Sequence, residues 1–247
     1  GVDLPGEATS IMHSRETMMN ENMASLSSAS FGQTFKVTAL QLMTAVNASV
    51  NGGYLMQPYI VSQVLDSDGN VVSNTEPVVV RQVISEETSA LIASYAEQVV
   101  SGEGGSGARA AVPGYRIGGK TGSAETLEDG RTIVSFMGFA PADDPQIIVL
   151  LAYDKPQEAS PGSKYGTTGV YISGGNMAAP QAGKLIAQIL DYMGVEKQYS
   201  QEESAAVNVS TPQAVGYSVA DAAARLEKKG LTYRTVGTGD VVTAQVP

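Results

Sequence analysis

The chain has 247 residues, of which 43% are hydrophobic, and it carries a formal net charge of −10 at pH 7. This length allows one or two domains, and the absence of Lys/Arg clusters disfavours nucleic acid and anionic membrane surfaces as partners. There is no cysteine, which excludes disulfides and thiolate catalysis, and the one histidine is His13. We expect His13 to be an ordinary surface residue, and we expect no metal and no cofactor.

Capping and turn residues predict the elements of the N-terminal half. In chain order these are an irregular, Met-rich opening at 1–30, a helix at 38–51, a strand at 57–65 with a turn at 66–69, and a helix at 85–100. Thr38 and Gln41 have the spacing of a capping box, and Ser85 is a favourable N-cap residue followed by two glutamates.

The next part of the chain is predicted to be a sheet followed by a helix. The elements are a strand from about 117, a turn at 128–130, strands at 132–140 and 146–153, a glycine-rich loop at 166–175, and a helix at 177–193 ended by Gly194. Together with the first half, this order predicts an α/β fold with an antiparallel sheet flanked by helices.

The stretch GYRIGGKTGSAET at 114–126 matches two unrelated signatures. Gly114, Gly119, Lys120 and Thr121 have the spacing of a phosphate-binding loop. Such a loop must follow a buried strand and open directly into a helix. Pro113 interrupts the preceding segment, and a predicted hairpin follows, so the surrounding pattern disfavours a nucleotide site.

The other signature is Lys-Thr-Gly on an edge strand, the third motif of serine transpeptidases and β-lactamases. The Lys120 ammonium and the hydroxyls of Thr121 and Ser123 suit a substrate carboxylate, and Gly122 lets a substrate backbone approach closely. An open strand edge can also pair with an extended peptide and direct an N–H group at an oxyanion. The tripeptide alone would be weak evidence, so the context decides.

Five blocks of sequence supply that context. They are GVDLPGEA at 1–8, SFGQTFKVTALQL at 30–42, NGGYLMQPYIV at 51–61, VPGYRIGGKTGSAET at 112–126 and SFMGFAPADDPQIIVLLAYDKP at 135–156. In this order they resemble the class B penicillin-binding proteins, in particular division and sporulation transpeptidases. The resemblance implies a penicillin-binding transpeptidase fold, and acylation of a serine by the D-Ala-D-Ala end of a stem peptide or by a β-lactam.

The nucleophile of that family lies in Ser-x-x-Lys, and no lysine of this chain has a serine three residues before it. Ser49-Val50-Asn51 matches the second motif, Ser-x-Asn, but it falls at the end of a predicted helix, and we interpret Asn51 as a helix-terminal residue. We therefore expect the chain to be the C-terminal part of a longer protein, and inactive alone. The resemblance implies a membrane anchor upstream, an extracytoplasmic location, and the N-terminal part and other cell-wall synthesis proteins as partners.

The character of the sequence changes near residue 201. The pattern at 211–236 resembles the N-terminal half of a PASTA module, with Ser218 and Gly230 bounding a helix and a strand at 232–236. We expect the transpeptidase part to span 1–200, and a linker with half a PASTA module to span 201–247.

Two functions remain open at this stage. In a transpeptidase, the resemblance implies that Lys120 orients the serine side of the cleft and supplies positive potential. Thr121 and Ser123 would hold the carboxylate, and the Ser123 amide would form half of the oxyanion hole. The alternative is a catalytically inactive scaffold or muropeptide sensor of penicillin-binding type.

Overall fold

The computed structural model describes residues 2–20, 23–125, 130–201, 203–204, 211–229 and 231–246. The chain divides into two units, Gly1–Lys197 and Gln198–Pro247. The helices of the first unit are α1 (Arg15–Asn20), α2 (Ala24–Ala29), α3 (Ala39–Val50), α4 (Glu86–Ser101) and α5 (Ala179–Met193). Its strands are β1 (Tyr54–Met56), β2 (Gln63–Leu65), β3 (Val71–Asn74), β4 (Val79–Gln82), β5 (Gly118–Glu125), β6 (Thr132–Ala140) and β7 (Ile147–Asp154).

The central sheet is antiparallel, with the strand order β5-β6-β7. β6 lies in the middle, and its residues from Phe136 to Ala140 are all buried. Strands β1 and β4 pair separately, as do β2 and β3, and both pairs are antiparallel. The predicted pairing of a strand near 117 with 132–140, and the third strand at 146–153, are confirmed to within one residue.

Helices cover both faces of the central sheet. Phe136 packs in one buried cluster with Ile186 and Leu190 of α5. Phe139 packs in a second cluster with Val50 of α3 and Ala93 of α4. The side chains of a strand at odd spacing point to opposite faces, so the two phenylalanines of β6 serve as the centres of two separate cores. The predicted α/β fold with helices flanking an antiparallel sheet is confirmed.

Two glycines of β5 make room for these aromatic rings. A Cβ atom on Gly119 would overlap the Phe136 ring, and a Cβ atom on Gly118 would overlap the Phe139 ring. Gly118 is paired directly with Phe139 in the sheet. The start of β5 therefore depends on residues without side chains.

The helix boundaries largely follow the sequence signals. Thr38 caps α3 in a complete capping box with Gln41, Ser85 caps α4, and Gly194 ends α5 in the left-handed conformation with φ of 73°. The predicted start of α5 at residue 177 is early, because a π-helical turn at Gly174–Ala178 precedes the regular helix.

Two predictions for the first unit are wrong. The opening at 1–30 is not irregular throughout, because it contains the short helices α1 and α2. The strand predicted at 57–65 forms only at its end, as β2 (Gln63–Leu65), and Pro58 lies in the gap between β1 and β2. Proline has no amide hydrogen to donate to a ladder, which explains the interruption. The turn at 66–69 is confirmed, since Gly69 N donates to the Asp66 carbonyl at 3.1 Å.

The second unit contains α6 (Val219–Glu227), which Ser218 caps as predicted through the amide of Asp221. The strand predicted at 232–236 is not formed. No other described residue pairs with this segment, and a strand requires such a partner to satisfy its backbone groups. The predicted helix stop at Gly230 and part of the turn at 128–130 lie outside the described residues. Within the described ranges, no helix has the length and apolar character needed to cross a membrane.

Candidate active site

The Lys-Thr-Gly-Ser sequence lies in the middle of β5, in an extended backbone. Lys120 pairs with Met137, Thr121 with Phe136 and Ser123 with Val134. β5 pairs with β6 alone among the described strands, so its other edge is open for this part of the chain. Lys120 lies on a strand. The phosphate-binding alternative would require it at the start of a helix, so the structure disfavours that alternative.

The four residues divide between the two faces of the sheet. Thr121 and Ser123 lie on the face of Phe136, which is the face covered by α5, because directly paired residues share a face. Lys120 is one residue out of step and lies on the opposite face with Met137. The Lys120 ammonium donates a hydrogen bond of 2.7 Å to the Thr121 carbonyl oxygen, and the side chain is otherwise exposed.

Thr121 and Ser123 border a polar cavity of about 330 Å³. Two further segments complete its walls, one before β5 and one before α5. The lining residues are Gly105, Ser106, Ala108, Arg109, Thr121, Ser123, Ser173, Gly174, Gly175 and Asn176. Lys120 is not one of them, so the structure brings the two predicted hydroxyls together and leaves the lysine outside this cavity.

Hydrogen bonds fix the hydroxyl groups around the cavity. The hydroxyls of Ser106 and Thr121 are 3.1 Å apart, and the amide of Gly174 donates to the Ser123 hydroxyl oxygen at 3.4 Å. The Ser173 hydroxyl oxygen accepts from both the amide and the side-chain Nδ2 of Asn176, at 3.2 and 2.9 Å.

Glycines allow the π-helical turn to approach β5 this closely. A Cβ atom on Gly174 would overlap the Ser135 carbonyl oxygen and lie 2.7 Å from the Gly122 carbonyl oxygen. A Cβ atom on Gly175 would overlap the Ser106 carbonyl oxygen. Both glycines therefore let backbone meet backbone where the turn crosses the Lys-Thr-Gly strand.

Sequence reasoning did not find the other walls of the cavity. The sequence predicts 166–175 only as a glycine-rich loop, and no spacing rule relates that loop, or the segment before β5, to the Lys-Thr-Gly strand. Ser106, Arg109, Ser173 and Asn176 could be found only from the fold.

Asn51, from the apparent Ser-x-Asn match, and His13 both make hydrogen bonds that stabilise the local fold. The Asn51 side chain accepts from the amide of Tyr54 and donates to its carbonyl oxygen, which closes the turn after α3. His13 Nε2 is hydrogen-bonded to the Thr34 carbonyl oxygen at 2.6 Å. Among the described residues, no cluster of His, Asp and Glu has the arrangement of a metal site.

Comparison with known proteins decides between families. The family profile described as the penicillin binding protein transpeptidase domain matches residues 1–171. The chain belongs to this family. The relatives that this chain matches include Stage V sporulation protein D of Bacillus subtilis, which is 38% identical over the whole of this chain and 37% of its own length. They also include a probable peptidoglycan D,D-transpeptidase, FtsI, of Caulobacter vibrioides, which is 33% identical over 70% of this chain and 29% of its own length.

A solved structure of a penicillin-binding protein shows the same fold. The ceftriaxone acyl-enzyme complex of penicillin-binding protein A from Mycobacterium tuberculosis superposes with a TM-score of 0.55 and is 27% identical. The match covers 67% of this chain and 35% of that chain. This chain therefore spans roughly a third of the length of these three relatives.

Proposed function

We propose that this chain is part of a peptidoglycan D,D-transpeptidase, which binds penicillin and cross-links stem peptides through an acyl-serine intermediate. The observation that carries the proposal is the open-edged strand β5, with Lys120 on one face and the hydroxyls of Thr121 and Ser123 in a polar cavity on the other. The family membership and the acyl-enzyme complex of a relative support the same chemistry.

Each residue of the motif has a distinct role in this proposal. Lys120 faces the acylating side of the cleft, where its ammonium supplies positive potential and orients the serine. Thr121 and Ser123 bind the carboxylate at the end of the donor peptide, and the Ser123 amide donates one hydrogen bond to the oxyanion. Gly122 lets the substrate backbone pair with the edge of β5.

In this proposal the serine nucleophile comes from polypeptide outside these residues. The sequence contains no Ser-x-x-Lys, and it corresponds to 37% of the length of the sporulation relative. We propose that this further polypeptide packs beside β5 and completes the cleft. A location on the extracytoplasmic face of the cell membrane, with stem peptides, β-lactams and other cell-wall synthesis proteins as partners, follows from this function.

The two-part organisation belongs to the same proposal. Residues 1–200 form the C-terminal part of the transpeptidase domain, and 201–247 form a linker with the N-terminal half of a PASTA domain. The capped helix α6 supports this division.

Labelling with a fluorescent penicillin tests the function. We expect the native gene product that contains this sequence to form a covalent adduct at a serine of Ser-x-x-Lys, and Lys120→Ala to slow adduct formation at least tenfold, the order of about 1.4 kcal/mol or more of transition-state stabilisation. The 247-residue chain alone is expected to form none. A penicillin adduct on this chain alone, found by mass spectrometry, would contradict the external serine. No adduct on the native product would favour the inactive scaffold or muropeptide sensor.

A further inference from the structure

The cavity beside Thr121 and Ser123 has a charge that the Lys-Thr-Gly motif does not provide. Arg109 is the only ionisable residue among its lining residues. No described residue forms a hydrogen bond or ion pair with the Arg109 side chain, which is exposed. The protein as a whole is acidic, with a net charge of −10. The hydroxyl-rich cavity, in contrast, is bordered by the positive charge of Arg109, which no described residue pairs with.

The hydroxyl groups of the cavity have protons to donate. Ser123 and Ser173 use their oxygen atoms as acceptors for N–H groups, and neither hydroxyl has an acceptor among the described residues. Ser106 and Thr121 share one hydrogen bond, so the hydroxyl that accepts this bond still has its own O–H group to donate to a ligand. A ligand that fits must therefore accept several hydrogen bonds, and the guanidinium favours one that carries negative charge.

The neighbouring cavity differs in this respect. It has a volume of about 520 Å³, shares Ser123 and Ser173 with the first, and is bordered by Glu125, Glu158 and Lys164. Its carboxylates make it unsuitable for a second anion. The preference for an acceptor is thus confined to the side of Ser123 on which Arg109 lies.

The backbone that carries Arg109 is well anchored. Arg109 lies on the 3-10 turn Ala108–Ala110, and Ala110 is fully buried against α5. A Cβ atom on Gly183 of α5 would lie within 3.0 Å of the Ala110 Cα atom, so the turn and the helix are in direct backbone contact. The base of the side chain therefore has a fixed position relative to the cavity.

We infer that Arg109 is a specificity-determining residue, which supplies the positive charge of a carboxylate subsite formed with the hydroxyls of Ser106, Thr121, Ser123 and Ser173. The inference rests on the proposed function, because it assigns this subsite to the terminal carboxylate of the donor peptide or of a β-lactam. Lys120 lies on the opposite face of β5 and has a separate role. Arg109 thus distinguishes ligands that carry the carboxylate from ligands in which it is masked.

The test compares benzylpenicillin with its methyl ester, using the native gene product that contains this sequence. We measure the second-order rate constant of acylation for the wild type, Arg109→Gln, Arg109→Lys and the control Lys184→Gln, which removes an exposed charge of α5 outside the cavity. We expect Arg109→Gln to lower the rate with the acid by about threefold to tenfold and to leave the ester unchanged, since a charge-assisted hydrogen bond from an exposed side chain is partly screened by solvent. Arg109→Lys should keep part of the preference for the acid, and Lys184→Gln all of it.

Other results would overturn the inference. If Arg109→Gln keeps the wild-type ratio of acid to ester rates, Arg109 does not bind the carboxylate. An equal loss with both compounds would assign it a purely structural role, and circular dichroism would identify misfolding as the cause. If the wild type is acylated by neither compound, the proposed function itself is wrong, and the assignment of Arg109 falls with it.

Discussion

The amide nitrogen of Gly174 lies 3.4 Å from the hydroxyl oxygen of Ser123, across 51 positions of sequence. This contact joins the π-helical turn before α5 to the strand that carries Lys-Thr-Gly. It requires the turn to approach the backbone of β5 more closely than a residue with a side chain would allow.

Gly174→Ala should displace the turn from β5. The added methyl group would lie 2.7 Å from the Gly122 carbonyl oxygen, and overpacking of this kind costs about 1–3 kcal/mol of unfolding free energy. Chemical denaturation measures the loss. The control is Gly166→Ala, whose methyl group would meet its nearest atom at an ordinary 3.4 Å. Equal stability of the two variants would contradict the close approach.

Arg116 anchors the residues just before β5 to α4. Its Nε and Nη2 atoms each donate to Glu97 at 2.7 Å, and Nη1 donates to Asp143 at 2.7 Å. Hydrogen bonding to Glu97 raises the pKa of Arg116 above its ordinary value. Because the arginine side chain is 47% exposed, we expect Arg116→Lys to cost only about 0.5–1 kcal/mol in thermal unfolding, through loss of the planar fork. Glu97→Gln in the Arg116→Lys background should add little, and full additivity of the two changes would argue against the pair.

The stability contributed by Asp191 should disappear in acid. The hydrogen bond from the Tyr115 hydroxyl, at 2.8 Å, and the contact with Lys197 hold the pKa of Asp191 below its ordinary value of 3.8. The charged form is favoured in the folded state, so this contribution is present above pH 3.8 and is lost as the pH falls through the lower folded-state pKa. Thermal melts should show Asp191→Asn less stable than the wild type at neutral pH and equal to it at low pH.

A matched control for that experiment is Asp144→Asn. The Asp144 carboxylate has no hydrogen bond or ion pair with any described residue, so the difference from wild type should stay small across the titration. A difference for Asp191→Asn that is independent of pH would show that the charge of Asp191 has no role.

Thr38→Ala should weaken the start of α3. The Thr38 hydroxyl oxygen accepts from the Gln41 amide at 3.1 Å, and Gln41 Oε1 accepts from the Thr38 amide at 2.9 Å. Loss of a threonine cap costs about 1 kcal/mol of unfolding free energy. Thr38→Ser keeps the hydroxyl and should retain most of the stability, and an equal loss in both variants would mean that the hydroxyl is not the cause.

The features that sequence predicted well are those that local chemistry determines. The Thr38 and Ser85 caps, the Gly194 stop and the strand at 132–140 each depend on residues within a few positions of one another. The strand predicted at 57–65 forms only at 63–65, because the apolar alternation continues across Pro58, which cannot donate a hydrogen bond to a ladder.

The motif of the candidate site could be found from sequence, but its surroundings could not. Lys120 to Ser123 are contiguous, so a pattern identifies them. Ser106 and Asn176 reach the same cavity only because α5 and the turn before it fold back over β5. The pattern also does not show that the side chains of Lys120 and Thr121 lie on opposite faces of β5, which follows from the strand register.

The interlocking of β5 and β6 also limits how this part of the protein can change during evolution. Because Gly118 and Gly119 have no side chains, the rings of Phe139 and Phe136 can occupy the space beside them. A bulkier residue at 118 is compatible with the sheet only if position 139 becomes smaller in the same lineage. Substitutions beside the Lys-Thr-Gly motif should therefore arise in compensating pairs, one member on each strand.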